Sequence, residues 1–372
     1  DYTGKYPAQR FKIFVMPGGY GEAIAFVSSD GVHWSGPVMT GPTGDRSAMF
    51  YNPFRKKWVY SLRSNWRGRS RDYWEHSDFL KGARWEAGQP YLWCGADRLD
   101  PPDPEIGETP QLYNLDAVAY ESIMLGIFEI HLGPPNEECN KRGLPKITEL
   151  TLAYSRDGWH WHRPDRRAFI AAERRDVWDR GYVQPVGGIC TIHGDTLWFY
   201  YTGFQGDPER KERPFLEAGM YDRGSTGVAF LRRDGFASLE ADAAGGDILT
   251  RPITFTGKHL FVNVDAPQGQ LRAELTDESG NPIAPFTLDN CETLSVNSTL
   301  AQVRWSGGDD LTALAGRPVR IRFQLTNGAL YAFWVSRDRT GRSDGYVAAG
   351  GPGYTGLVDT VGNAALAAPA GT

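Results

Sequence analysis

Ser28-Ser29-Asp30-Gly31-Val32-His33-Trp34 returns in nearly the same form as Ser155-Arg156-Asp157-Gly158-Trp159-His160-Trp161, and this repeat decides the fold class. Weaker echoes lie at Ser77-Asp78 with Trp85 and at Arg233-Asp234-Gly235-Phe236. The Asp-Gly pairs follow short apolar strands at 23–27, 150–154 and 227–231. Asp-Gly after such a run marks a tight reversal, because Gly supplies positive φ at no steric cost. The aromatic beyond the turn packs back over the neighbouring sheet. Recurrence at intervals of roughly 50–80 residues is what a radial array of four-stranded sheets produces. The expectation is a β-propeller, which concentrates function at one end of its channel.

Composition agrees. Twelve Trp, 17 Tyr and 18 Phe, with 44 Gly and 24 Pro in 372 residues, describe a turn-rich all-β chain long enough for two domains. No run approaches the ~18 apolar residues of a membrane span. A net charge of −5 is mild and argues against nucleic acid as partner. Cys94, Cys139, Cys190 and Cys291 show no metal-type spacing; they read as buried thiols or as one or two disulfides. The start at Asp1-Tyr2-Thr3 reads as a processed protein or a fragment, and Asn297-Ser298-Thr299 is a formal glycosylation acceptor. Localisation is not legible beyond a slight lean to secretion or the periplasm, and oligomeric state is not legible at all.

Strand pairs are expected at 11–15 with 23–27, at 47–51 with 58–62, at 115–120 with 123–130 and at 187–192 with 196–201. Only 209–217 carries a helical pattern. The Ala-Asp-Ala-Ala-Gly-Gly-Asp segment at 241–247 reads as a linker, and alternating short strands follow it. The expected organisation is a five-bladed β-propeller over 1–250, with a short first blade that a strand from the other terminus would complete. A β-sandwich with a C-terminal return segment follows over 251–372.

That architecture resembles the five-bladed glycoside hydrolases of families 32, 43 and 68 across nearly the whole chain. The segments that carry the resemblance are Gly44-Asp45-Arg46-Ser47, Tyr113-Asn114-Leu115-Asp116, the two Ser-x-Asp-Gly-x-x-Trp turns and the join at 255–265. The resemblance implies three acids at the channel mouth, one on each of the first three blades. Asp45 falls at the second-blade position. Asn114 stands where the third-blade Glu is expected, with Asp116 on the same strand face. The first-blade acid has no clear match, Asp1 being the only acid ahead of the first strand.

Glycoside hydrolysis needs two carboxyl groups flanking the bond, one of them held protonated. The candidates are Asp45 and Asp116, with Glu105 and Glu108 from the acid-rich loop 97–108 that leads into the third blade. Asp45 and Asp116 are expected within roughly 10 Å of each other in one pocket. Arg46, Asn114, Asp179, Tyr182 and Gln184 are the candidate substrate contacts. The arginines around the second blade (Arg63, Arg67, Arg69, Arg71) suit an anionic sugar or simple salt bridging. Trp159 and Trp161 suit packing between blades better than sugar stacking. No zinc, phosphate-loop or nucleophile-elbow motif is present, so no cofactor is expected, although a structural calcium in the channel is compatible with the fold. The expected function is a glycosidase acting on a furanose-type or anionic sugar, within an oligo- or polysaccharide. The rivals are a non-catalytic glycan-binding protein and a uronate lyase.

Overall fold

The computed structural model describes residues 6–18, 20–210 and 219–367. Asp1 and most of the helical pattern at 209–217 lie outside the described residues. Regular structure is almost entirely β. The chain divides into two compact units, residues 1–190 with 199–229, and residues 191–198 with 230–372.

The first unit is a succession of antiparallel sheets. β1 (Phe11–Val15), β2 (Tyr20–Ser28) and β3 (Ser35–Gly44) form the first, and β4 (Ala48–Asn52), β5 (Lys57–Ser64), β6 (Ser70–His76) and β7 (Tyr91–Gly95) the second. β8 (Gln111–Glu121), β9 (Ile123–Gly133) and β10 (Ile147–Ser155) belong to the third. In the fourth, β11 (Gly181–Pro185) pairs with the later part of β13 (Thr196–Phe204), so this partner strand runs earlier than the 187–192 expected. β14 (Gly224–Arg232) follows, while the hairpin of β12 (Thr191–His193) with the first residues of β13 falls in residues 191–198 of the second unit.

The two Ser-x-Asp-Gly turns are superimposable in their bonding. Ser28 Oγ accepts from the N–H groups of Asp30 and Gly31, while Asp30 Oδ1 accepts from those of Val32 and His33. Ser155 and Asp157 repeat this set on Asp157, Gly158, Trp159 and His160. Gly31 (φ 82°) and Gly158 (φ 75°) occupy the left-handed region a side chain would resist. The short hydroxyl and carboxylate satisfy the reversing backbone locally, which is why the motif recurs. At Ser77-Asp78 the same chemistry caps a helix instead: Lys81 N–H donates to Asp78 Oδ1 at the start of α1 (Phe79–Gly82).

Aromatics then join the sheets. Trp159 meets Tyr73 edge-on at 4.4 Å and lies 6.2 Å from Trp93, both on the second sheet. Trp161 rests on β9 where Gly126 leaves room; a Cβ there would meet the indole at 2.5 Å. Trp159 thus packs between sheets, whereas Trp161 packs on the third sheet itself, 6.0 Å from Phe128. Behind them Leu112, Leu115, Phe128, Ile130, Leu132 and Ala153 form the apolar core of the third sheet.

In the second unit, β15 (Leu239–Ala241), β17 (His259–Asp265), β19 (Asn297–Gln302) and β21 (Gly328–Ser336) make one sheet. β16 (Gly246–Leu249), β18 (Gln270–Thr276) and β20 (Arg320–Thr326) make another. Alternate residues of both, such as Leu260 and Val262, Leu271 and Ala273, Ile321 and Phe323, enter one shared core. Among the described residues no disulfide joins the cysteines, and no helix is long and apolar enough to cross a membrane.

The turn chemistry makes a prediction. Asp157→Ala removes four hydrogen bonds and should lower stability by about 1 kcal/mol in urea denaturation. Burial works against its charge, yet bonds from His160, Trp159 and Ser155 hold the carboxyl well below the usual range. A depressed folded pKa stabilises fully above the unfolded value of about 3.9 and less as pH falls below it. The gap between parent and variant should therefore close in acid.

Candidate functional site

β8 and β9 are buried along almost their whole length, on both faces. One face is apolar; the other carries Asn114, Asp116, Glu129 and His131, all less than a tenth exposed. Leu112 pairs with Ile130 but Asn114 pairs with Glu129, so Tyr113 is an extra residue bulged out of β8. The bulge puts Asn114 opposite Glu129, with Asp116 on the diagonal. Polar groups sealed in a sheet face need internal partners. Asn114 Nδ2 donates to Asp116 Oδ2 at 3.0 Å, and Arg46 Nη2 donates to Glu129 Oε2 at 3.0 Å.

Arg46 comes from the turn between β3 and β4, and Arg71 from β6 holds that turn. The fully buried Arg71 donates to the Arg46 carbonyl at 2.8 Å and also to the Tyr113 carbonyl at the bulge. Tyr182 of β11 closes the other side, its hydroxyl 3.2 Å from that of Tyr113. Arg46 (φ 59°) and Tyr182 (φ 49°) both hold left-handed backbone, at a cost of order 1–3 kcal/mol each. Lys146, the residue before β10, is fully buried, its ammonium lying 4.7–5.4 Å from the ring centroids of Tyr113, Tyr182 and Tyr221.

Burial raises the pKa of Glu129, against the opposing pull of Arg46 and Arg71. Burial likewise raises Asp116, with Arg46, Arg71 and the Asn114 bond opposing it. Glu129 Oε1 has no hydrogen-bond partner among the described residues. Burial pushes Arg71 down to about 10, so it stays charged at neutral pH. Burial disfavours the Arg46 charge too, but Glu129, Tyr182 and Asp116 raise its pKa overall.

Beside this cluster is a cleft of about 190 Å³ lined by Arg69, Glu108, Gln111, His131, Pro135 and Asn136. His131 stacks on Tyr113 with ring centroids 5.7 Å apart. Burial, reinforced by the positive charges of Arg69 and Lys146, pushes the imidazole down to about 3. It is therefore neutral under ordinary conditions.

The sequence-predicted residues separate into groups. Arg46, Asn114, Asp116 and Tyr182 come together. Asp45, beside Arg46, pairs with Arg63 and keeps 35% of its side chain exposed. Glu108 lines the cleft, whereas Glu105 is exposed on the loop. Much of that loop is structural: Asp100 accepts from Arg163 and Arg166, and Asp103 pairs with Arg174 at 2.6 Å. Asp179 is buried and accepts from the Tyr201 hydroxyl at 2.9 Å. Gln184 is half-buried on β11 opposite Thr202. Sequence reasoning missed Glu129, His131 and Lys146. The criterion that selected Asp116, an acid inside an apolar strand, would have found Glu129 in Ile127-Phe128-Glu129-Ile130. Among the described residues no group of three or more His, Cys, Asp or Glu is arranged to hold a metal ion.

No family model matches the chain, and a search of curated proteins finds no match. Among solved structures it is similar to an N-acetylgalactosamine deacetylase from F. plautii, at 17% identity and TM-score 0.39. That match covers 58% of this chain and 65% of the deacetylase, less than two thirds of the latter's length. A Bombyx mori family 32 β-fructofuranosidase in complex with sucrose is similar at 8% identity and TM-score 0.34, covering 88% of this chain and 89% of that one. A sucrose-6-phosphate hydrolase from Lactobacillus gasseri is similar at 10% identity and TM-score 0.29, covering 89% of each chain.

The Arg46–Glu129 pair gives the next prediction. Arg46→Leu should destabilise the protein by about 3–5 kcal/mol at neutral pH, since it strands a buried carboxylate. A carboxyl whose folded pKa lies above its unfolded value favours folding at low pH and opposes it as pH rises through the folded value. The loss should thus be smaller at about pH 5 than at about pH 8 in denaturant titrations. An equal loss at both would show that Glu129 is not the group left uncompensated.

Proposed function

We propose that the chain is a carbohydrate-active enzyme, a glycosidase whose proton-handling carboxyl groups are Asp116 and Glu129, acting on a furanose-type or anionic sugar. The reading takes the sheets of the first unit as blades of a five-bladed propeller and the second unit as a β-sandwich. The observation that carries it is the buried carboxyl pair around one guanidinium, with one Glu129 oxygen left without a partner. Two acids sharing one sealed face do not ionise independently; the pair retains a proton where an isolated carboxyl has lost it. A carboxyl kept protonated near neutral pH is what general-acid catalysis at a glycosidic oxygen requires.

Arg46 has two roles in this reading. It holds Glu129 in place, and its positive charge lets the second acid of the pair ionise. Asp45, paired with Arg63 and partly exposed, is the carboxylate placed to stabilise positive charge on the sugar or to activate water. The left-handed backbone at Arg46 and Tyr182 supports a site, because strain of this kind persists where the surroundings over-determine it and clusters where function needs it.

A panel of aryl glycosides and plant or algal oligosaccharides tests the proposal. Asp116→Asn and Glu129→Gln should each lower kcat about 10²–10⁴-fold on the substrate found, with KM little changed and the fold retained. Tight glycan binding without turnover would favour a binding protein, and an unsaturated product would favour a lyase. Turnover indifferent to both substitutions would remove the assignment.

A further inference from the structure

We propose that the cleft of Arg69, Gln111 and His131 is a subsite for the carboxylate-bearing ring of a uronic acid. Arg69 has no carboxylate partner among the described residues, although its neighbours in sequence Arg63 and Arg71 are both engaged. Its Nη1 donates only to Gln111 Oε1 at 3.1 Å, and its Nε has no partner among the described residues. Gln111 Oε1 also accepts the Arg69 backbone N–H at 2.9 Å, so both of its lone pairs are used. The Gln111 amide NH₂ is left as a donor on the cleft wall. His131 is 3% exposed, and neither of its ring nitrogens is hydrogen-bonded among the described residues.

These are groups that a carboxylated sugar would engage. The guanidinium fork matches a carboxylate bidentately. A neutral imidazole offers one donor and one acceptor, which suits a ring hydroxyl. Glu108 and Asn136 Oδ1, which has no partner among the described residues, supply further acceptors for hydroxyl protons. A volume of about 190 Å³ lies below the roughly 300–1,000 Å³ of pockets for larger ligands, so the cleft suits one ring rather than a chain. Its place is set by strand geometry. His131 and Glu129 are two residues apart on β9 and point to the same face, about 6.8 Å from Cα to Cα. A ring on His131 therefore lies one strand step from the Asp116–Glu129 pair. The inference deepens the glycosidase reading by naming its sugar class, and rests on that reading for the sugar.

Binding tests it apart from catalysis. Isothermal titration of the full chain with D-glucuronate, D-galacturonate and the corresponding neutral hexoses should show a preference for a uronate of about tenfold or more. Arg69→Gln should abolish that preference, and Arg69→Lys should recover only part of it, since a lysine keeps the charge but loses the fork. Equal affinity for uronate and neutral hexose on the unaltered protein overturns the inference even if glycosides are turned over. Tighter binding of glucose 6-sulfate than of glucuronate overturns the carboxylate assignment. A uronate preference that depends on Arg69, with no glycoside turned over, upholds the subsite while removing the glycosidase reading.

Discussion

Arg46 and Glu129 meet at 3.0 Å between the β3–β4 turn and the middle of β9, and the polar face of β8 and β9 is arranged around that contact. Glu129 is completely buried, so its charge is sustained only by a guanidinium brought to it. Arg46 in turn reaches it from a left-handed backbone pinned by Arg71, whose other bond fixes the bulge at Tyr113. The bulge decides which residues of β8 face Glu129. Two sheets, a strained turn and a register irregularity are thus coupled through three side chains.

The consequence is a pair of carboxyl groups that burial pushes toward the protonated form together. Desolvation pushes both toward the neutral form, while Arg46 and Arg71 draw both toward the charged form. Neither influence acts on one acid alone, because Asp116 and Glu129 lie diagonally on the same sheet face. The tyrosines and Lys146 complete a largely aromatic wall, which lowers the local dielectric and strengthens every charge interaction inside it.

How far the sequence reads ahead of the structure depends on how local the determining physics is. The Ser-x-Asp-Gly turns were legible because hydroxyl, carboxylate and glycine satisfy the reversal within four residues. Asn114 and Asp116 were legible because polar residues inside an apolar run demand an explanation. Glu129 answers the same demand, yet β9 read as a plain apolar strand and its acid was passed over. Partnerships across the fold left no local trace. Asp100 finds Arg163 63 positions away, which turns much of an acid-rich loop from candidate catalyst into scaffold. Asp45 looked like a free channel carboxylate until the structure placed Arg63 against it. The bulge at Tyr113 is a register property of two strands, and neither strand encodes it alone.

The shared proton is the claim on which the functional account rests, and infrared spectroscopy reads it directly. At neutral pH the parent protein should show the carbonyl stretch of a protonated, buried carboxylic acid. That band should be lost in Glu129→Gln or Asp116→Asn, and should grow in Arg46→Leu. A spectrum without protonated carboxyl at neutral pH, unchanged by any of the three substitutions, would contradict the account.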